Sequence, residues 1–189
     1  AQGRGIVFLT PHLGCFEITA QGYAQRFGAT RGPITVLYRP ARKAWLRSLV
    51  AGARSRPGLA TAPTTLSGVK QMLKALKKGE AVGLLPDQVP PQGLGVWAPF
   101  FGRDAYTMTL SARLARQSGA QVLLAWGVWR GWGRGYVIHV RPMAQVLAED
   151  APAAAAQVNA AMEALVRECP QQYLWGYARY KVPREDAAP

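Results

Sequence analysis

Acidic residues are scarce in this chain. Ten Asp and Glu face twenty-three Lys and Arg, which gives a formal net charge of +13. Such an excess attracts polyanions, including nucleic acids, anionic lipid headgroups and acidic proteins, and charge alone does not choose among these classes. Half of the residues are apolar and only 17% are charged, so the composition is globular and excludes a disordered chain.

Cysteines and long apolar runs are also lacking. The two cysteines, Cys15 and Cys169, are far apart, which excludes a disulfide framework or a cysteine-rich zinc site and favours a reducing compartment. No apolar run approaches the roughly 18 residues that a membrane span requires. Because the sequence leads almost at once from Ala1 into an apolar strand pattern, we expect an internal fragment that lacks an N-terminal membrane-anchor segment.

Strand patterns alternate with helix patterns along the 189 residues, which suit one domain. They predict an α/β layered domain with a mixed, mostly parallel sheet flanked by helices, over residues 1–183, with a disordered tail at 184–189. The predicted strands are Gly5–Thr10, Ile34–Tyr38, Ala81–Pro86 and a hairpin of Gln121–Arg130 with Gly135–Pro142. The predicted helices are Gly14–Phe27, Ala41–Ala53, Leu66–Lys78, Thr107–Gln117 and Ala153–Glu168, and Pro90–Gly102 is a predicted loop.

The segment PHLGCFE places His12 just after the first predicted strand and Glu17 five positions later. Ligands of open α/β sheets bind beyond the carboxyl ends of the strands. If His12 lies in a loop and Glu17 in the first helical turn, the two side chains can meet. A carboxylate on one ring nitrogen fixes the tautomer and leaves the other nitrogen as a base, able to activate a substrate hydroxyl.

Other interpretations of these residues stay open. Glu17 can serve only as a favourable charge at the helix N-terminus, and His12 can be a loop histidine with satisfied hydrogen bonds. Cys15, between the two, is a rival nucleophile. His139 alternates with apolar neighbours in GYVIHVRP, which is typical of a structural strand residue.

Four further blocks follow in order: LYRPARKAWL (37–46), LLPDQ (84–88), APFFGRDAYTMTLSARLA (98–115) and QQYLWGYARYK (171–181). With PHLGCFE, they resemble the lipid A biosynthesis acyltransferases, the late, Kdo-dependent lauroyl/myristoyl enzymes of the lysophospholipid acyltransferase superfamily. The resemblance runs from about Gly3 to Lys181 and implies a glycerol-3-phosphate acyltransferase-like fold. It implies that His12 is the general base with Glu17 as its orienting partner, and that Arg39, Asp87 and Arg179 bind substrate.

The resemblance also implies the reaction. A fatty acyl group passes from an acyl carrier protein thioester, or from acyl-CoA, to a hydroxyl of a lipid A precursor or related glycolipid, without a metal or other cofactor. The expected location is the cytoplasmic face of the inner membrane, against an anionic membrane surface, with no nucleic-acid partner. Alternatives are another glycolipid or phospholipid acceptor, a thioesterase or esterase that uses water, an inactive relative, and a basic nucleic-acid-binding module. Trp97, Phe100 and Phe101 either line an acyl pocket or pack in the core.

Overall fold

The computed structural model of the chain describes residues 3–38 and 56–184. The predicted substrate-binding residue Arg39 and the predicted helix Ala41–Ala53 lie outside the described residues. The same holds for most of the predicted tail, residues 185–189.

Within the described residues, six strands form the main sheet, in the order β3-β2-β4-β1-β7-β8. The strands are β1 (Ile6–Leu9), β2 (Ile34–Tyr38), β3 (Leu59–Pro63), β4 (Ala81–Leu84), β7 (Gln121–Trp129) and β8 (Tyr136–Pro142). Neighbouring strands are parallel except β8, which runs antiparallel to β7. This arrangement confirms the predicted α/β fold with a mixed, mostly parallel sheet.

Helices cover both faces of this sheet, and for that reason its central strands are apolar at successive positions. The helices are α1 (Glu17–Arg31), α2 (Leu66–Lys77), α3 (Leu110–Ser118) and α4 (Ala151–Glu168). Val7 and Leu9 of β1 belong to the core cluster formed with α2, α3 and α4. Phe8 between them packs on the opposite face, in a smaller cluster with Tyr23 and Ala24 of α1. The side chains therefore alternate between two cores, as in any strand that is buried on both faces.

Helix α1 begins three residues later than predicted, at Glu17 rather than Gly14. Gly14 has a φ of 54°, which lies outside the helical region and suits glycine. A Cβ atom at this position would collide with the carbonyl oxygen of Gly127 on β7. The backbone at Gly14 therefore passes close to the backbone of β7 in a non-helical conformation, and helix α1 begins only after this loop.

Helix α4 begins close to its predicted start, where the Asp150 carboxylate accepts a hydrogen bond from the amide of Ala153 at 2.9 Å.

One prediction of secondary structure was wrong, and one strand was not predicted. The predicted loop Pro90–Gly102 contains β5 (Gly95–Phe100), which pairs with β6 (Arg103–Met108) in a separate antiparallel ribbon. Glycine and proline there suggested a loop, but the ribbon packs on α4, and that packing overrides the local signals. Strand β3 was not predicted, because LATAP is short and weakly apolar.

Across the described part of the chain, no helix is both long and apolar enough to cross a membrane.

Candidate active site

His12 lies in the short loop between β1 and α1, which backbone hydrogen bonds hold from two sides. The amide of Leu174 donates to the carbonyl oxygen of His12 at 3.0 Å, and the amide of Gly14 donates to that of Gln172 at 2.8 Å. From the sheet side, the amide of Cys15 donates to the carbonyl oxygen of Gly127 at 3.3 Å. The loop is therefore fixed between the C-terminal segment and β7, and the position of the histidine is fixed with it.

Asp87 holds His12 at two points. Its Oδ1 atom lies 2.7 Å from Nδ1 of His12, and its Oδ2 atom accepts the backbone amide of the same residue at 2.8 Å. The carboxylate is 1% exposed and the imidazole is 13% exposed. An ionised carboxylate only accepts hydrogen bonds, so Nδ1 carries the proton and Nε2 keeps its lone pair. This is the arrangement of an oriented general base.

This pairing corrects the predicted geometry of the dyad: the carboxylate on Nδ1 belongs to Asp87 rather than Glu17. Leu9 of β1 and Leu84 of β4 are register partners in neighbouring parallel strands, so the residues that follow each strand meet at one edge. His12 and Asp87 are therefore brought together at the carboxyl edge of the sheet. Glu17 is the first residue of α1, where its charge suits the helix dipole, and it lines the pocket described below. Its catalytic role stays a prediction.

Tyr173, which was not predicted as a site residue, completes the surroundings of Asp87. The pKa of its phenol is raised, first by burial and then by the nearby negative charge of Asp87. The phenol therefore stays protonated beside the Asp87 carboxylate. The only sequence signal was its position in the tail block QQYLWGYARYK, where it was not distinguished from the other aromatic residues.

Gln88 and Phe16 border the other side of the His12 ring. The Gln88 Nε2 atom lies 3.1 Å from Nε2 of His12, so the amide donates to the ring nitrogen that would act as the base. The Phe16 ring meets the imidazole edge to face, with centroids 4.8 Å apart. A hydroxyl that is to give its proton to Nε2 must therefore replace the Gln88 amide. The sequence signal for Gln88 was its adjacency to Asp87 in LLPDQ, and adjacency alone did not predict a contact with His12.

Arg179 is 4% exposed and lies inside the domain. It donates to the carbonyl oxygen of Tyr106 and to Oγ1 of Thr107, both at 2.7 Å, and to Oδ1 of Asn159 at 3.3 Å. Burial lowers the pKa of this guanidinium, and the nearby charge of Asp87 acts in the opposite direction. These contacts tie the tail to β6 and α4 and favour a positioning role. The predicted contact of Arg179 with substrate stays untested.

An apolar pocket of about 640 Å³ lies between α1 and the sheet. Thr10, Phe16 and Glu17 line it near His12, and Arg4 and Arg31 line it near the amino ends of the strands. Most of its walls between these ends are apolar or small, and include Phe8, Ala20, Ile34, Val36, Gly83 and Ile138. The volume falls within the range of about 300–1,000 Å³ that is usual for ligand pockets.

The other described residues named as candidates from the sequence do not line this pocket. Phe100 is 2% exposed in the core, and Trp97 is half exposed on β5, so neither ring lines this pocket. Cys15 is a free, half-buried thiol. His139 lies in β8, which confirms it as a strand residue, and its ring stacks on Trp126 with centroids 4.9 Å apart. Residues 3–38 and 56–184 hold no group of three or more His, Cys, Asp or Glu side chains placed to bind a metal ion.

Comparisons with known proteins agree with the resemblance drawn from the motifs. The chain is 32% identical over 187 residues to the lipid A biosynthesis lauroyltransferase of Escherichia coli K12, covering 98% of this chain and 59% of the relative. It is 29% identical over 183 residues to the lipid A biosynthesis palmitoleoyltransferase of the same organism, covering 95% and 57%. A lipid A biosynthesis acyltransferase of Haemophilus influenzae is 28% identical over 176 residues, covering 93% and 53%.

The chain thus spans somewhat more than half the length of these relatives. The profile of one protein family matches residues 1–182, nearly from end to end. By that match, the chain belongs to the bacterial lipid A biosynthesis acyltransferase family.

Proposed function

We propose that this protein transfers a fatty acyl group from an acyl carrier protein thioester to a hydroxyl group of a lipid A precursor or related glycolipid. The observation that carries the proposal is that the Asp87 carboxylate is hydrogen-bonded to both the Nδ1 atom and the backbone amide of His12. This pairing leaves Nε2 as a base at the carboxyl edge of the sheet. The family membership supports the reaction class, because the matched relatives are named for acyl transfer in lipid A biosynthesis.

In the proposed reaction, His12 acts first as a base and then as an acid. Its Nε2 atom takes the proton of the acceptor hydroxyl while the hydroxyl oxygen bonds to the thioester carbon. The tetrahedral intermediate then collapses, the carbon–sulfur bond breaks, and His12 returns the proton to the departing thiolate. Asp87 stabilises the imidazolium formed between these two steps. Arg39 is expected to stabilise the oxyanion or to hold a phosphate, as the family resemblance implies.

The apolar pocket is the proposed site of the acyl chain. Phe16 contacts the His12 ring and also lines the pocket, so a chain within it would begin beside the base. Burial of each methylene group contributes about 0.8 kcal/mol, so a largely apolar pocket is suited to bind a fatty chain. The names of the relatives include lauroyl and palmitoleoyl groups, which are chains of this kind.

The charge of the protein suits the proposed partners. Acyl carrier protein is acidic, and lipid A precursors carry phosphates, so both are attracted by a net charge of +13. We place the reaction at the cytoplasmic face of the inner membrane, where such a glycolipid would meet a soluble donor.

The test compares the two histidines of the chain as a matched pair. Full-length protein, His12→Ala and His139→Ala are assayed with lauroyl acyl carrier protein and a lipid A precursor, and acylated product and free fatty acid are quantified separately. We expect His12→Ala to lose at least 10³-fold in rate, from the missing base and its missing orientation, and His139→Ala to keep most of the activity.

Equal rates of product formation in the two variants would refute the proposed role of His12. Formation of free fatty acid alone, with acceptor present, would establish the thioesterase alternative instead. Replacing the donor by lauroyl-CoA shows whether the carrier protein is required, because a protein-specific donor site predicts a much higher kcat/KM for the carrier-bound chain.

A further inference from the structure

The turn that joins β7 to β8 presents aromatic side chains to solvent. We call residues 129–136 the hairpin tip. Trp132 at its centre is 94% exposed, and Trp129 and Tyr136 at its base are 40% and 45% exposed. Single exposed apolar side chains are common, but three large aromatic residues within eight positions form a patch, and a patch of this kind marks an interaction surface.

The conformation of the hairpin tip is set by the backbone. Gly131, Gly133 and Gly135 have φ values of 103°, 73° and 65°, which a side chain would strain. The amide of Arg130 donates to the carbonyl oxygen of Gly135 at 3.0 Å and closes the turn. The two indole rings meet at nearly a right angle, 6.0 Å apart. The exposed aromatic groups are therefore held in one defined arrangement.

Positive charge accompanies the aromatic groups. Arg130 and Arg134 flank Trp132 and are both exposed. The sequence has no acidic residue from position 105 to position 148, so nothing nearby along the chain offsets them. Tryptophan and tyrosine favour the headgroup level of a bilayer, and arginine is attracted to anionic lipid. The composition of the hairpin tip thus complements the surface of an anionic membrane.

The hairpin tip lies at the same edge of the sheet as the candidate active site. Leu9, the last residue of β1, pairs with Leu124, and β7 continues to Trp129. Five further residues at about 3.3 Å each carry the hairpin tip roughly 16 Å beyond that pair. The side-chain amide of Gln172 accepts from the amide of Trp129 at 2.9 Å and donates to its carbonyl oxygen at 3.0 Å.

The backbone carbonyl oxygen of Gln172 also accepts a hydrogen bond from the amide of Gly14 in the His12 loop. The hairpin tip and the loop are thus attached to one common residue. Leu174 and Trp175, which follow it closely, are 47% and 58% exposed, and Leu174 is bonded to the backbone of His12. Exposed apolar side chains therefore lie at this edge on two segments, the hairpin tip and the C-terminal segment that is hydrogen-bonded to the His12 loop.

From these observations we infer that the hairpin tip docks on a lipid bilayer with anionic headgroups. Trp129, Trp132 and Tyr136 enter the interfacial layer, while Arg130 and Arg134 bind lipid phosphates. Docking in this orientation turns the candidate active site toward the bilayer, so that a lipid acceptor reaches His12 without leaving the membrane. The delivery of a lipid acceptor to His12 rests on the proposed function, but docking on the bilayer is measured without any substrate.

The experiment measures partition of the full-length protein and its variants into two kinds of vesicle, one of equal parts phosphatidylglycerol and phosphatidylcholine and one of phosphatidylcholine alone. Removing both arginines in Arg130→Gln/Arg134→Gln should weaken binding to the anionic vesicles by roughly 25-fold, since each basic residue near such a surface contributes about fivefold. Trp132→Ser should weaken binding to both kinds at least about fivefold, because the loss of apolar burial does not depend on lipid charge.

Two controls change matched groups at the opposite edge of the sheet. Val146→Ser removes a side chain that is 93% exposed, much like Trp132, and Lys77→Gln/Lys78→Gln removes two exposed charges at the end of α2. Both should bind vesicles as the unchanged protein does. Thermal melting verifies that every variant is folded.

Equal binding by the variants of the hairpin tip and by the controls would overturn the inference. So would a loss of self-association in Trp132→Ser, measured by sedimentation velocity, with vesicle binding retained, since the covering partner would then be a second copy of the chain. Acyl transfer that depends on His12 would stand in either case, and the two proposals therefore fail separately.

Discussion

Nδ1 of His12 lies 2.7 Å from Oδ1 of Asp87, although 75 positions separate the two residues in the chain. The carboxylate also binds the backbone amide of His12, so it fixes the loop as well as the ring. Two strand ends meeting at one edge of a parallel sheet produce this contact. The orienting carboxylate of the candidate base is thus supplied by a block far along the chain.

The first prediction separates the two candidate orienting residues. Asp87→Asn should lower kcat by roughly 10³–10⁴-fold, because an amide in place of the carboxylate neither fixes the same tautomer nor stabilises the imidazolium. Glu17→Gln should cost less, since Nδ1 is already bonded to Asp87. Asp104→Asn, at an exposed position on β6, is the matched control. A greater loss of kcat in Glu17→Gln than in Asp87→Asn would show that Glu17 is the orienting residue.

The second prediction concerns the length of the acyl chain. Ala20 lies on the wall of the pocket, and Ala20→Phe should fill part of the space. If about four methylene groups are excluded at about 0.8 kcal/mol each, a palmitoyl donor loses roughly 200-fold in kcat/KM relative to a decanoyl donor. Gln25→Phe places the same ring on the exposed face of α1 and should leave the ratio unchanged. An unchanged ratio in Ala20→Phe would exclude this pocket as the acyl site and leave it to another segment of the protein.

The third prediction concerns the buried network of Arg179. Arg179→Met should lower the free energy of unfolding by about 2–4 kcal/mol, because the acceptors on Tyr106, Thr107 and Asn159 lose their donor inside the domain. Arg179→Lys should recover only part of this, since an ammonium group cannot reproduce the planar fork. Urea unfolding measures the change, with the surface substitution Arg167→Met expected to stay within about 0.5 kcal/mol. If Arg179→Met unfolds at the same urea concentration as the unchanged protein, the network is not a stabilising one.

The fourth prediction is a dependence of stability on alkaline pH. Burial and the charge of Asp87 raise the pKa of Tyr173 above the value of about 10 that the unfolded chain has. The unfolded phenol therefore loses its proton first, so this stabilisation is complete below pH ~10 and is lost as pH rises from there. Tyr173→Phe should reduce the fall in unfolding free energy above pH ~10, whereas Tyr136→Phe, at an exposed position, should not. Identical pH profiles of Tyr173→Phe and the unchanged protein would contradict the assignment.

Much of this molecule followed from the sequence by itself. Buried strands that alternate with amphipathic helices have few stable arrangements, so the α/β class was predicted correctly, as was the hairpin of β7 and β8. The ordered blocks around His12 and Asp87 gave the family, which the comparisons confirmed. These features are carried by local periodicity and by residue types at fixed spacing, and both can be read along a single chain.

Only the tertiary structure decided which side chains meet. From the sequence, Glu17 was the predicted partner of His12, because spacing relates only residues that are close along the chain. In the structure, the parallel pairing of β1 with β4 places Asp87 at Nδ1 of His12 instead. Tyr173 reached the same carboxylate from the far end of the chain. The ribbon of β5 and β6 likewise forms against its local turn signals, since packing on α4 outweighs weak propensity. Pairing of strands and packing of helices join residues that are remote in sequence, and those contacts build the site.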